Sequence, residues 1–252
     1  MQPKRHAAIL RILEEAGSAT IVALAGRLGV SAETVRRDLK ALADAGEVSR
    51  SHGGASLAAG QGEAPFRRRM RENAEAKQAI ARTLAATIRN GDTLMMDTGT
   101  TTSFLARALA GHARLTVITN STDAARILAP GAGNRVLVPG GQFRPDSGAI
   151  LGEEAVAFVA RHSAQVAVIS AGAVDGGEVM DFDPAEATFA AAMLARAPRR
   201  VLATDAGKFG RRGLVTVCRL RDLTELVTDA APPAAVARNL RAGGAMLTIA
   251  QA

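Results

Sequence analysis

The sequence predicts an α/β protein in two parts: an N-terminal winged helix-turn-helix that is mostly α, then an α/β domain built on a mainly parallel sheet. Three observations predict it. Two short amphipathic helices meet at a glycine turn within residues 20–39. A strand, a Gly-Gly turn and a return strand follow at 47–55. From Ala74 onward, short apolar runs alternate with stretches of helical periodicity, the grammar of a sheet flanked by helices. The expected boundaries are 3–58 for the winged unit, 59–76 for a linker and 77–252 for the α/β domain.

The first helix, 3–16, carries Ala8, Ile9, Ile12 and Leu13 on one stripe. The next runs from Thr20 to Leu28 with Ile21, Leu24, Ala25 and Leu28 on one face, and Gly29 stops it. The third, 32–45, starts at Ser31, whose hydroxyl suits an unpaired N–H of the first turn; Glu33 suits the positive end of the helix dipole. Val35, Leu39 and Leu42 fall at i, i+4 and i+7, which makes one apolar stripe. Arg36, Arg37 and Lys40 come out on the far side. A solvated surface helix shows the same pattern, so the flanks decide. A second helix that follows a tight turn and carries arginines reads as a recognition helix. Gly46 is expected to close that helix, and Glu47–Ala55 to form a wing whose Arg50 and His52 reach a phosphate backbone.

Ala58–Glu63 reads as a linker, and Pro65–Arg71 packs four arginines into seven residues. That cluster is either a second grip on phosphates or a connector pinned by Phe66. Candidate strands then lie at 93–97, 115–119, 135–138, 166–171, 201–204, 226–228 and 246–249. Helices are expected at 74–89, 101–110, 121–129, 152–161, 184–197 and 232–242.

Open α/β sheets bind ligands beyond the carboxyl ends of their strands. Those ends read Asp97-Thr98-Gly99-Thr100-Thr101-Thr102, Thr119-Asn120-Ser121, Pro139-Gly140-Gly141, Gly172–Gly176 and Asp205–Gly210. Hydroxyl residues and glycines at helix starts expose N–H groups to an anion. Lys208 adds a cation, while Asp97 and Asp205 accept bonds from ligand hydroxyls. The set fits a small phosphorylated polyol or sugar. Any one such cap is commonplace; their convergence on one edge carries the reading.

Composition sets the bounds. The 252 residues are 48% hydrophobic with a net charge of +7, a globular composition that tolerates a polyanionic partner. Residues 1–57 hold eight Lys/Arg against six Asp/Glu, a net of +2, so the nucleic-acid reading rests on placement and not on bulk charge. The single cysteine, Cys218, excludes an intramolecular disulfide and reads as a small buried filler in a reducing cytoplasm. No leader is expected, since the N-terminus meets Glu14-Glu15 before any long apolar region, and no membrane span, since the longest stretch free of Asp, Glu, Lys and Arg is His162–Val174. Phosphate-loop and dinucleotide motifs are missing from the sequence. His6, His52, His112 and His162 stand at no metal-ligand spacing, so neither a metal nor a cofactor is expected. Asp175, Asp181, Asp183 and Glu186 are read as orienting a ligand or meeting another subunit in preference to acid–base chemistry.

Val30-Ser31, Thr34–Leu39, Gly46 and His52–Ala55 together resemble the N-terminal signature of the DeoR-type bacterial transcriptional regulators. The resemblance continues through Pro65-Phe66, Asp97 with Gly99–Thr101, Leu115–Ser121, Gly140-Gly141, and Asp205 with Lys208–Gly210, covering nearly the whole chain. It implies a winged helix-turn-helix followed by a sensor domain similar to sugar-phosphate isomerases. It also implies a homodimer or higher homo-oligomer that binds double-stranded operator DNA as a repressor and leaves it when a phosphorylated effector binds. Met180–Glu186 and Thr228–Pro233 resemble the glycerol 3-phosphate branch more than the sugar-specific ones. Gly207 stands where the family usually has Ser, and Ala190 and Ala191 where basic residues are common. On this reading Arg36 and Arg37 are the candidates for guanine edges, Ser31 and Thr34 for a base or phosphate, and Lys40, Arg50 and His52 for phosphates; that Arg36 or Asp38 instead forms a structural ion pair is left open. Effector phosphate is expected at Thr100–Thr102, Asn120 and Lys208. Two alternatives stay open: an isomerase-like enzyme with a DNA-binding appendage, and an activator of the same build.

Overall fold

The computed structural model describes residues 2–16, 18–45, 47–51, 53–57 and 63–251. The chain divides after Arg69 into two compact units. The expected Gly46 helix stop and most of the expected linker at 58–63 lie outside the described residues.

The first unit runs α1 (Gln2–Ala16), β1 (Ser18–Thr20), α2 (Ile21–Leu28), α3 (Ala32–Asp44), β2 (Val48–Ser51), β3 (Gly54–Leu57) and α4 (Phe66–Arg69). Thr20 caps α2 by accepting from the Ala23 N–H at 3.1 Å. Gly29 ends α2 at φ 64°, the left-handed turn that glycine adopts without steric cost. Ile9, Leu13, Leu24, Val35, Leu39, Leu42, Val48 and Ala55 close one core, so the stripes read from periodicity are the stripes that pack. The strands form an antiparallel sheet in the order β1-β3-β2. Strand β1, three residues long, is an addition to the sequence reading. It explains Gly54, where a Cβ would stand 2.5 Å from the Ala19 carbonyl oxygen. Phe66 is buried, with the Arg69 guanidinium 5.4 Å from its ring centroid and paired to Glu63.

The second unit starts with α5 (Ala74–Ala85), β4 (Thr93–Met96), α6 (Thr100–Ala108), β5 (Thr116–Thr119), α7 (Thr122–Leu128) and β6 (Arg135–Leu137). It continues through β7 (Gln142–Arg144), β8 (Ala149–Leu151), α8 (Glu153–Ala160), β9 (Val166–Ile169), β10 (Ala173–Asp175), β11 (Glu178–Asp181) and α9 (Pro184–Leu194). It ends with β12 (Arg199–Ala203), β13 (Val215–Arg219), β14 (Glu225–Thr228), α10 (Ala234–Ala242) and β15 (Met246–Ile249). Seven strands make one parallel sheet in the order β15-β14-β12-β9-β4-β5-β6. All seven expected strands are in it. Alternate residues serve opposite faces. Leu94 and Met96 pack with α5, α6 and α7, and Met95 packs with α8 and α9. Burial on both faces is what a parallel sheet requires.

The chain moves outward from β4 to β6, then restarts at β9 on the other side of β4. The crevice between the ends of β4 and β9 is therefore the switch point where open sheets hold ligands. Two smaller antiparallel sheets, β7-β8 and β10-β11-β13, flank it. No strand is expected from the sequence at 142–144, 149–151, 173–175, 178–181 or 215–219; β7, β8, β10, β11 and β13 correct that. Their hairpins turn on Gly148 and on Gly176-Gly177, all at positive φ, and runs of three to five residues are too short for alternation to show.

Candidate functional site

On the first unit, Ser31 Oγ accepts from the Thr34 N–H at 3.2 Å and lies 2.9 Å from the Thr34 hydroxyl. Both hydroxyls thus settle the start of α3, at a gain of about 1 kcal/mol for the cap. Arg36, Arg37 and Lys40 are exposed along α3, and Arg50 is exposed on β2. Arg36 reaches Glu33 at 3.2 Å, a surface pair worth only a few tenths of a kcal/mol, which a phosphate or base can displace. His52 lies outside the described residues. Asp38, between Arg37 and Leu39, is only 1% exposed. Arg5 of α1 grips its two carboxylate oxygens through Nε and Nη2, and His6 Nε2 lies 3.2 Å away. The Arg5 hydrogen bond, more than any other cause, holds the Asp38 carboxyl below the ordinary carboxylate range. The basic face of α3 is therefore set by a charged contact beneath it, which spacing alone does not reveal.

On the second unit, the expected residues gather at the carboxyl ends of β4, β5, β9 and β12. Asp97, buried after β4, accepts through Oδ2 from the Ser170 N–H at 2.9 Å and lies 3.4 Å from the Ser170 hydroxyl. Its Oδ1 is buried with no hydrogen-bond partner. Burial pushes this carboxyl up to about 7; the Ser170 and Thr102 bonds oppose that rise, and the Asp181 charge adds to it. Gly99 is obligatory, since a Cβ would stand 1.9 Å from Ser170 Oγ and 2.8 Å from its Cβ. Thr98 donates to Asn120 Oδ1 at 3.1 Å, tying the ends of β4 and β5 together.

Several expected hydroxyls already serve the fold. Thr102 donates to the Asp97 and Gly99 carbonyls, each at 3.1 Å. Thr119 accepts from the Ser121 N–H at 3.0 Å, and Ser121 caps α7 by accepting from Ala124 at 3.1 Å. Thr100 and Thr101 open α6, which brings the N–H groups of its first turn to the same edge. Gly140 is exposed beside the hairpin β7-β8. Gly141 leads into β7 at the open end of that hairpin, where a Cβ would meet the Leu151 carbonyl at 2.5 Å, so tight packing accounts for it. Asp205, after β12, accepts from the Gly207 N–H at 3.1 Å and from Asn73 Nδ2 at 2.7 Å. Half-buried Lys208 completes the turn Ala206–Lys208.

Spacing missed Ser170 and Asn73. Ser170 was hidden because the sequence reading extends that strand through Ala171, whereas β9 ends at Ile169. Asp181 and Asp183 turn out to be turn-makers: Asp181 Oδ1 accepts from the Phe182 and Asp183 N–H groups, and Asp183 caps α9. Asp183 also pairs with Arg144 at 3.3 Å. Cys218 packs partly buried against the core, and burial pushes its thiol up to about 12, so it stays an unreactive thiol. His112 donates to the Ile88 carbonyl and His162 to that of Phe158, both local packing roles.

Comparison with known proteins places both units. Residues 5–61 match the DeoR-like helix-turn-helix domain, and residues 72–230 match the DeoR C terminal sensor domain. The HTH-type transcriptional repressor CsqR of Escherichia coli (strain K12) is 38% identical over 94% of this chain and 91% of its own length. The glycerol-3-phosphate regulon repressor of the same organism is 32% identical over 93% of this chain and 94% of its own. Among solved structures, ribose 5-phosphate isomerase A of Methanocaldococcus jannaschii covers 55% of each chain at 13% identity and a TM-score of 0.40.

Proposed function

The chain belongs to the DeoR family, and from that premise we propose that it is a sequence-specific DNA-binding transcriptional repressor of a carbon-metabolism operon. A phosphorylated polyol or sugar, first of all glycerol 3-phosphate, releases it from its operator. The observation that carries the first half is α3: a buried apolar stripe and a buried Asp38 on one side, with Arg36, Arg37 and Lys40 exposed on the other. A helix so built enters a major groove with its N-terminal residues toward base edges. Support for the second half is the polar edge at the switch point, with Asp97, the first turn of α6, Asn120, Asp205 and Lys208. The named glycerol-3-phosphate relative supports that choice of effector.

Mechanistically, the effector phosphate takes the N–H groups of Thr100–Thr102 together with Asn120 and Lys208, and its hydroxyls take Asp97 and Asp205. Release of DNA then requires the effector to favour one arrangement of a homo-oligomer's two DNA-binding units over another. The reading is a regulator, not an enzyme. Fluorescence anisotropy of the full chain on DNA from upstream of its own gene, against a scrambled duplex at the same salt, tests it. Affinity on the order of 10³-fold or more above the scrambled duplex is expected; equal affinity for both would contradict it.

A further inference from the structure

Asn73 precedes α5 at φ 51° and ψ 36°, the left-handed region that few residues other than glycine adopt. An asparagine at a helix start ordinarily turns its side-chain oxygen onto the first-turn N–H groups. This one makes no side-chain cap. Its amide nitrogen donates instead to Asp205 Oδ1 at 2.7 Å, 132 residues away in the chain. Gly207 makes room for that bond, because a Cβ there would stand 2.8 Å from Asp205 Oδ1 and 3.0 Å from Asn73 Nδ2. One turn on, Lys77 is 2% exposed, and its ammonium donates to the Glu72 carbonyl at 2.7 Å. With its cap forgone, Asn73 is fixed by the bond to Asp205 and by the close approach of Gly207.

Asp205 sits at the carboxyl end of β12, and Asn73 is the fourth residue after the division that follows Arg69. We propose that the Asn73–Asp205 hydrogen bond is the joint through which the sensor site acts on the chain arriving from the DNA-binding unit. The inference rests on the effector reading above. A polyol hydroxyl that claims Asp205 competes with the Asn73 amide for the same carboxylate. The free and occupied states therefore differ in whether the start of α5 is tied to the end of β12. That difference supplies the state-dependent contact without which no ligand shifts an equilibrium.

The test uses the full chain and its operator DNA, comparing the parent with Asn73→Gly, which tolerates the left-handed backbone and removes only the amide. Calorimetry reads glycerol 3-phosphate binding; anisotropy reads DNA affinity with and without saturating effector. In the parent, effector is expected to weaken DNA binding by about 10- to 100-fold. In Asn73→Gly that factor falls to about twofold or less, while effector affinity is kept or rises by up to about tenfold, since the amide no longer competes for Asp205. Asn73→Asp, which sets a second carboxylate against Asp205, is expected to weaken DNA binding without effector. An Asn73→Gly chain that binds effector and leaves DNA as the parent does overturns the joint and leaves the proposed function standing. A parent that binds DNA but gives neither heat nor release with glycerol 3-phosphate overturns the effector reading and the joint with it.

Discussion

Asp97 carries two unlike oxygens. One is held by Ser170, and the other is buried without a partner. With its carboxyl raised from 3.8 to about 7, the folded chain keeps a proton there that the unfolded chain gives up. The stability this group contributes is therefore complete below its unfolded value and is lost as pH rises through the folded one. Asp97→Asn removes that slope. Melting of parent and variant at pH 5 and pH 8 checks it: the parent's loss between the two conditions should shrink in the variant, and an unchanged loss would mean the carboxyl is ionised throughout. Arg37 is exposed on the outer face of α3, so its removal tests readout and not folding. Arg37→Ala is expected to cost about 1–3 kcal/mol of operator affinity and to relax discrimination at one base pair. Binding to a panel of singly substituted operators measures this; uniform weakening across the panel would assign Arg37 to a phosphate.

At the scale of elements, α3 is positioned from beneath by α1. Arg5 and His6 hold Asp38, whose carboxyl is lowered chiefly by the Arg5 hydrogen bond. A lowered carboxyl stabilises the fold above its unfolded value, and that contribution is lost as pH falls through the folded one. Asp38→Asn should therefore lower the melting temperature of the DNA-binding unit at neutral pH, with the gap to the parent closing in acid. A gap that persists in acid would assign the loss to packing and not to charge. The elements themselves were largely legible. Val35, Leu39 and Leu42 announced α3, and short apolar runs alternating with helices announced the parallel sheet. The switch point followed, because Asp97 and Asp205 stand at strand ends that the runs define. The three-residue strand β1 was not legible, since it is held by β3, a partner distant in sequence. Arg5–Asp38 and Asn73–Asp205 were hidden for the same reason: no local spacing records a bond across 33 or 132 residues.

At the scale of the molecule, the +7 charge is spread over both units, so on the proposed function DNA binding depends on a few placed cations and the response on a separate polar edge. Lys208→Ala separates the two. It is expected to leave operator affinity within about twofold of the parent while removing release by effector, since Lys208 belongs to the second unit and not to the helix-turn-helix; a variant released at the parent's effector concentration would take Lys208 out of the site. The central claim is that one chain reads DNA with its first unit and a phosphorylated metabolite with its second. The most direct measurement is anisotropy of the full chain on its operator, titrated with glycerol 3-phosphate and, in parallel, with glycerol and inorganic phosphate. Release by glycerol 3-phosphate at micromolar to millimolar concentration, with neither component alone sufficing, is the predicted result. Tight binding that neither glycerol 3-phosphate nor any other phosphorylated polyol or sugar reverses would contradict it.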